Sequence, residues 1–166
     1  LSLHTIAWTI VPTLVRYTLP MDAIEGFVWG QHWQFGYDRN PYLNGWLTSL
    51  AAQIGGTFQL PIYLLSQICV GLCFWSVFRL GKKFLAPIHA MIAVMLLEAL
   101  QYYSIASIDF DDNVLEIGLW ALLTLSFYNL LKERKNWQFL LTAFLAALAL
   151  MTKYYALVIF IPMLVF

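Results

Sequence analysis

Apolar runs of membrane-crossing length constrain this chain more than any other feature. A helix needs about 20 apolar residues to cross the hydrocarbon core of a bilayer. Residues 60–78, 84–103, 114–131 and 137–151 with its flanks each read as such a span. Residues 3–15 read as the clipped end of an earlier span and 154–166 as the start of a later one, so the chain reads as a fragment of something longer. Of the 166 residues, 61% are hydrophobic and 11% charged, whereas soluble domains carry about 25% charged residues. The expected fold is all-α, a polytopic transmembrane helical bundle forming one domain over residues 1–166. A net charge of zero gives no reason to expect nucleic acid as a partner. Cys69 and Cys73 lie one helical turn apart in an apolar run and read as packing residues, not as a metal or redox pair.

Basic residues orient the spans. Arg79, Lys82 and Lys83 follow one span, and Lys132, Arg134 and Lys135 follow another, which accounts for six of the nine basic residues. The positive-inside rule puts these two loops in the cytoplasm. Alternation then places residues 17–59, the 104–113 loop and the turn at Lys153 together at the outer face. Asp22, Glu25, Asp109, Asp111, Asp112 and Lys153 are thus expected at one membrane surface. Polar groups beside a bilayer are costly and mark sites. By the same argument Glu98, inside the 84–103 run, is a candidate for contact with the outer cavity or with a loop residue. Glu116, four residues after Asp112, shares its helix face. His4 and Arg16 flank the clipped span and carry little information.

The first outer loop, about forty residues long, is too long to be structureless in a compact domain. Residues 21–35 have near-helical apolar spacing, and Pro20 suits the first turn of a helix. A turn follows over residues 36–41, with Asn40 pushed towards extended backbone by Pro41. Residues 41–54 read as a second amphipathic helix ended by Gly55-Gly56. Both are rich in Trp or Tyr, as suits helices lying at the membrane interface.

The stretch Asp22, Glu25, Trp29-Gly30, Gly36-Tyr37, Pro41, Leu43 and Trp46-Leu47 resembles the first outer loop of glycosyltransferase family 39, in the bacterial members related to protein O-mannosyltransferases and lipid A aminoarabinose transferases. Asn40 and Tyr42 stand where that family usually has His and a second Pro. Phe110-Asp111-Asp112-Asn113, with Leu119-Trp120 further on, resembles the family's second outer loop. Thr152-Lys153-Tyr154 resembles its later Thr-Lys-Tyr segment. The resemblance implies a GT-C enzyme that moves a sugar from a polyprenyl-phosphate donor to a lipid A, envelope-glycan or protein acceptor. It implies an inverting reaction at the periplasmic face of a bacterial inner membrane.

Such a reaction needs a base for the acceptor hydroxyl and positive charge for the leaving phosphate. Asp22 occupies the family's acidic position and is the candidate base; its structural alternative is an N-cap of the loop helix. Glu25 would support Asp22 or bind a divalent ion, or else is a solvated first-turn acid. Lys153 is the candidate phosphate clamp, or a snorkelling lysine at a span end. Asp112 would orient the acceptor or hold a metal, whereas Asp109 and Asp111 read as solvated loop charges. Tyr37, Arg39 and Tyr154 complete the candidate substrate-binding set. No cofactor is required; a divalent metal is optional, on Asp22, Glu25 and Asp112. Two other classes fit a polytopic chain, namely a flippase or transporter of lipid-linked sugars and a non-catalytic scaffold. Clustering of the polar groups at one face, rather than at broken helices near the midplane, favours the enzyme.

Overall fold

The computed structural model describes residues 2–37, 40–55 and 59–165. Among these the chain is helical, with no strands. Its helices are α1 (Ser2–Val15), α2 (Met21–Gly30), α3 (Leu43–Gly55), α4 (Leu60–Gly81), α5 (Pro87–Glu98), α6 (Asp112–Glu133), α7 (Asn136–Thr152) and α8 (Leu157–Val165). Helices α4 and α6 are each 22 residues long and apolar enough to cross a membrane.

Helix α4 is the hub, packing against α6, α1, α5 and α3. In lipid, water does not drive helices together, so small residues that allow close approach take over. Gly118 of α6 lies on the backbone of α4 at Cys69, where an added Cβ would sit 2.8 Å from the Cys69 carbonyl oxygen. Cys69 and Cys73 are buried free thiols, in keeping with the packing role. Ser126 of α6 and Thr142 of α7 share a buried hydroxyl hydrogen bond of 2.8 Å.

The two loop helices follow the same rule with their apolar faces turned outward. Helix α2 buries Ala23, Gly26 and Gly30, and α3 buries Asn44, Gly45, Thr48 and Ser49. Met21, Ile24, Val28 and Ile54 are left exposed. A Cβ on Gly30 would fall 2.1 Å from the Gly45 carbonyl oxygen, so the two helices touch backbone to backbone. Large apolar side chains outside and small ones within suit a hydrocarbon or interfacial surround. Both helices begin or end near their expected limits, α2 stopping five residues sooner than the 21–35 reading.

The expected span over 84–103 is not one helix. Helix α5 stops at Glu98, and the chain bends by 84° into short 3₁₀ turns at Gln101–Tyr103 and Ala106–Ile108. No Gly or Pro breaks it; the causes are tertiary. Glu98 accepts a 3.0 Å contact from His4 Nδ1 of α1, so its partner is a neighbouring helix and not an outer loop. The Ser107 carbonyl accepts from Ser66 Oγ and from Gln67 Nε2, both fully buried on α4. Backbone outside a helix is tolerated at membrane depth only where protein groups satisfy it. The Ser66-Gln67 pair does so.

The α4–α6 crossing predicts a contrast between two glycines. Gly118→Ala should destabilise the purified protein by about 1–3 kcal/mol, because an added Cβ meets the Cys69 backbone, which cannot shift without moving α4. Gly71→Ala, where the nearest atom to an added Cβ is Thr5 Oγ1 at 3.9 Å, should be neutral or slightly stabilising. Thermal unfolding in detergent measures both.

Candidate active site at the acidic end of the bundle

Three loops converge at the end of the bundle opposite the basic turns. Asp111 caps α6, its Oδ1 accepting the Val114 N–H at 2.7 Å. Its Oδ2 accepts Asn113 Nδ2 at 2.6 Å. Asn113 Oδ1 accepts from Lys153 Nζ at 2.6 Å, and the same ammonium lies 3.0 Å from Asp112 Oδ2. This relay fixes the Asn113 amide, with its NH₂ towards the carboxylate and its oxygen towards the cation. Lys153 reaches it because α7 ends there and the backbone turns extended (φ −156°, ψ 135°).

Lys153 opens onto a cavity of about 510 Å³ that is also lined by Tyr102, Glu116, Trp120 and Tyr155. Trp120 and Tyr155 stack at 5.9 Å and 15°. On the other side of Tyr102 lies a second cavity, of about 370 Å³, lined by Arg16, Asp22, Asp109 and Asp111. Tyr102 is thus the shared wall of a basic-and-aromatic chamber and an acidic one.

Asp109 links the acidic chamber to the first loop. Pro20 occupies the N-cap of α2 and offers no side-chain acceptor. Asp109 Oδ1, from a loop 86 residues away, takes the Ala23 N–H at 3.3 Å instead. The capping alternative for Asp22 therefore does not hold: Asp22 sits exposed in the first turn of α2, facing the cavity. Asp109 and Asp111 are not solvated loop charges either. Burial, reinforced by the negative charge of Asp22, pushes the Asp109 carboxyl up to about 6, against the Ala23 N–H and the Arg16 guanidinium. Burial also raises Asp111, against its bonds from Val114 and Asn113.

Residues 39–166 match the family model of dolichyl-phosphate-mannose-protein mannosyltransferase. The chain belongs to that family. It is a membrane glycosyltransferase of the GT-C, mannosyltransferase type. Comparisons with curated proteins and with solved structures returned no match. The matched stretch of this mannosyltransferase-family chain contains Asp112, Asn113, Glu116 and Lys153, whereas Asp22 and Glu25 precede it.

The candidate residues divide accordingly. Lys153 and Asp112 are joined directly, and Asp22 lies in the neighbouring chamber. Glu25 is exposed on α2 and lines neither chamber. Tyr37 stacks on Trp29 at 5.4 Å and donates its hydroxyl to the His32 carbonyl, so it builds the loop and lines neither chamber. Tyr154 is 63% exposed, and its neighbour Tyr155 takes the cavity position. Arg39 lies outside the described residues. Among the described residues no three His, Cys, Asp or Glu side chains group as a metal set, so Asp22, Glu25 and Asp112 do not converge on one ion. The sequence reading missed Arg16, Tyr102, Trp120 and Tyr155 as site residues. A lone arginine just before an acidic loop was the available signal for Arg16; the three aromatics are indistinguishable by sequence from ordinary interfacial residues.

The raised Asp109 gives a pH-dependent expectation. A carboxyl raised in the folded state contributes stability that is full below its ordinary 3.8 and is lost as pH rises through about 6. Asp109→Asn keeps an acceptor for Ala23 without the charge. The Tm of the variant relative to the native protein should therefore rise as pH goes from 5 to 7.5. A flat difference would contradict the assignment.

Proposed function

We propose that residues 1–166 are part of the single membrane domain of an inverting transferase that moves a sugar from a polyprenyl-phosphate donor to a hydroxyl acceptor. The observation that carries the reading is the Lys153 ammonium, held between Asp112 and Asn113 at the mouth of a 510 Å³ cavity. Two neutral or anionic partners fix its position and leave its remaining donor capacity directed at the chamber. A leaving phosphate is the anion such a group would serve.

The proposed step balances as a single displacement. Asp22 takes the proton from the acceptor hydroxyl, and that oxygen forms a bond to the anomeric carbon. The bond from the anomeric carbon to the phosphate oxygen breaks, and its electron pair leaves with the lipid phosphate, whose charge Lys153 offsets. One displacement inverts the anomeric centre, so no carboxylate need act as a nucleophile. Asp112 acts as a positioning residue through Lys153. Glu25, exposed one turn from Asp22, adds negative field near the base. The acidic surface faces the periplasm of a bacterial inner membrane in this reading. Its support is the segregation of six basic residues to the two turns 82–86 and 132–135 and the ends of the helices beside them. The acceptor is a lipid A, an envelope glycan or a protein hydroxyl.

Two substitutions in the full chain, assayed in membranes with a labelled polyprenyl-phosphate sugar, test the roles. Asp22→Asn should lower transfer by about 10²–10⁴-fold, the range for loss of a general base. Wild-type transfer by that variant would sink the base assignment. Lys153→Ala should lower turnover by about 10²–10³-fold, with partial recovery in Lys153→Arg. Unchanged donor turnover in Lys153→Ala would remove the phosphate clamp.

A further inference from the structure

We infer that Glu116 and Trp120 form the subsite that recognises hydroxyl groups of the donor sugar. The inference rests on the proposed transfer reaction and adds the residues that choose its sugar. Glu116 is 8% exposed and lies on the wall of the Lys153 cavity. Its Oε1 is buried without a hydrogen-bond partner, and so is the Trp120 indole Nε1 on the same wall. The two groups are near enough to attract one another but do not stand in hydrogen-bonding geometry. Leaving a buried polar group unpaired is costly, and more so when it is charged. Two such groups on one cavity wall, four residues apart on one helix, are held ready for a ligand.

The chemistry of the pair selects that ligand. A carboxylate accepts hydrogen bonds and repels phosphate, while an indole N–H only donates. Together they match a polyol, whose hydroxyls both donate and accept. Lys153 lies in the same cavity and suits the phosphate end of the donor. Trp120, stacked on Tyr155, and Tyr102 add aromatic surface for the C–H face of a pyranose ring. A volume of about 510 Å³ falls within the size range of small-molecule sites. A site that hydrogen-bonds a hydroxyl discriminates strongly against a ligand lacking it, because its own groups are then stranded.

The test uses the full chain in membranes and polyprenyl-phosphate-mannose, together with its singly deoxygenated analogues. Glu116→Gln preserves shape, and Trp120→Phe preserves the stack on Tyr155. Each should raise the donor KM at least about tenfold, with the acceptor KM unchanged. Each should also shrink the native preference for the full sugar over one particular deoxy analogue, a readout that general loss of packing would not move. Native donor KM and native discrimination in both variants would overturn the subsite. Equal loss against every analogue and against the acceptor would overturn it too. If the native protein itself fails to transfer from any polyprenyl-phosphate sugar, the transfer reaction falls, a result distinct from the failure of Glu116 and Trp120 alone.

Discussion

The contact of Gly118 with the backbone of Cys69 is the crossing on which the rest of the bundle depends. It lets α4 and α6 approach until their backbones touch, and it does so where hydrocarbon offers no hydrophobic drive for association. Helix α6 carries Asp112, Asn113, Glu116 and Trp120 along one stretch, so its placement against α4 also places the site. Helix α4 in turn supplies Ser66 and Gln67, which hold the Ser107 carbonyl and thereby the non-helical segment leading to Asp109. One close crossing positions the floor of the cavity and the loop that closes its acidic side.

Charge at the site is organised by pairing rather than by number. Carboxylates outnumber cations there, yet all three aspartates of the 109–112 segment have a stated partner. Asp111 caps its own helix, Asp109 caps α2 across the chain, and Asp112 meets Lys153. Burial costs a charge heavily unless it is paired or hydrogen-bonded. Asp22 stands apart, exposed and with no hydrogen bond or ion pair among the described residues. Its negative charge is felt by Asp109, which keeps that neighbour's carboxyl raised. The arrangement leaves one acid free beside others that are committed to structure.

Much of the fold was legible from composition and spacing. The long apolar helices, the two loop helices, the Gly-Tyr…Pro turn and the basic turns all follow from local rules, and Tyr37 N–H meets the Asn40 carbonyl at 3.0 Å in that turn. The break after Glu98 was not legible, because its residues are good helix formers and the partners that end the helix come from α1 and α4. Within the site, Lys153 and Asp112 were legible as isolated charges near span ends. Tyr155 in place of Tyr154 was not, since a 3₁₀ turn at Tyr154–Ala156 decides which ring lines the cavity.

The sequence by itself determined that this chain is a helical membrane protein with most of its acids gathered at one end. Hydropathy adds along the chain, so a bilayer reads it one segment at a time. Only the tertiary structure decided what each charge does. It bound Asp109 to a helix 86 residues away, tied Lys153 to Asp112, and left Glu116 and Trp120 unpaired on a cavity wall. Hydrogen bonds and ion pairs act over a few ångströms in space, and those distances exist only once α4, α6 and α7 have packed.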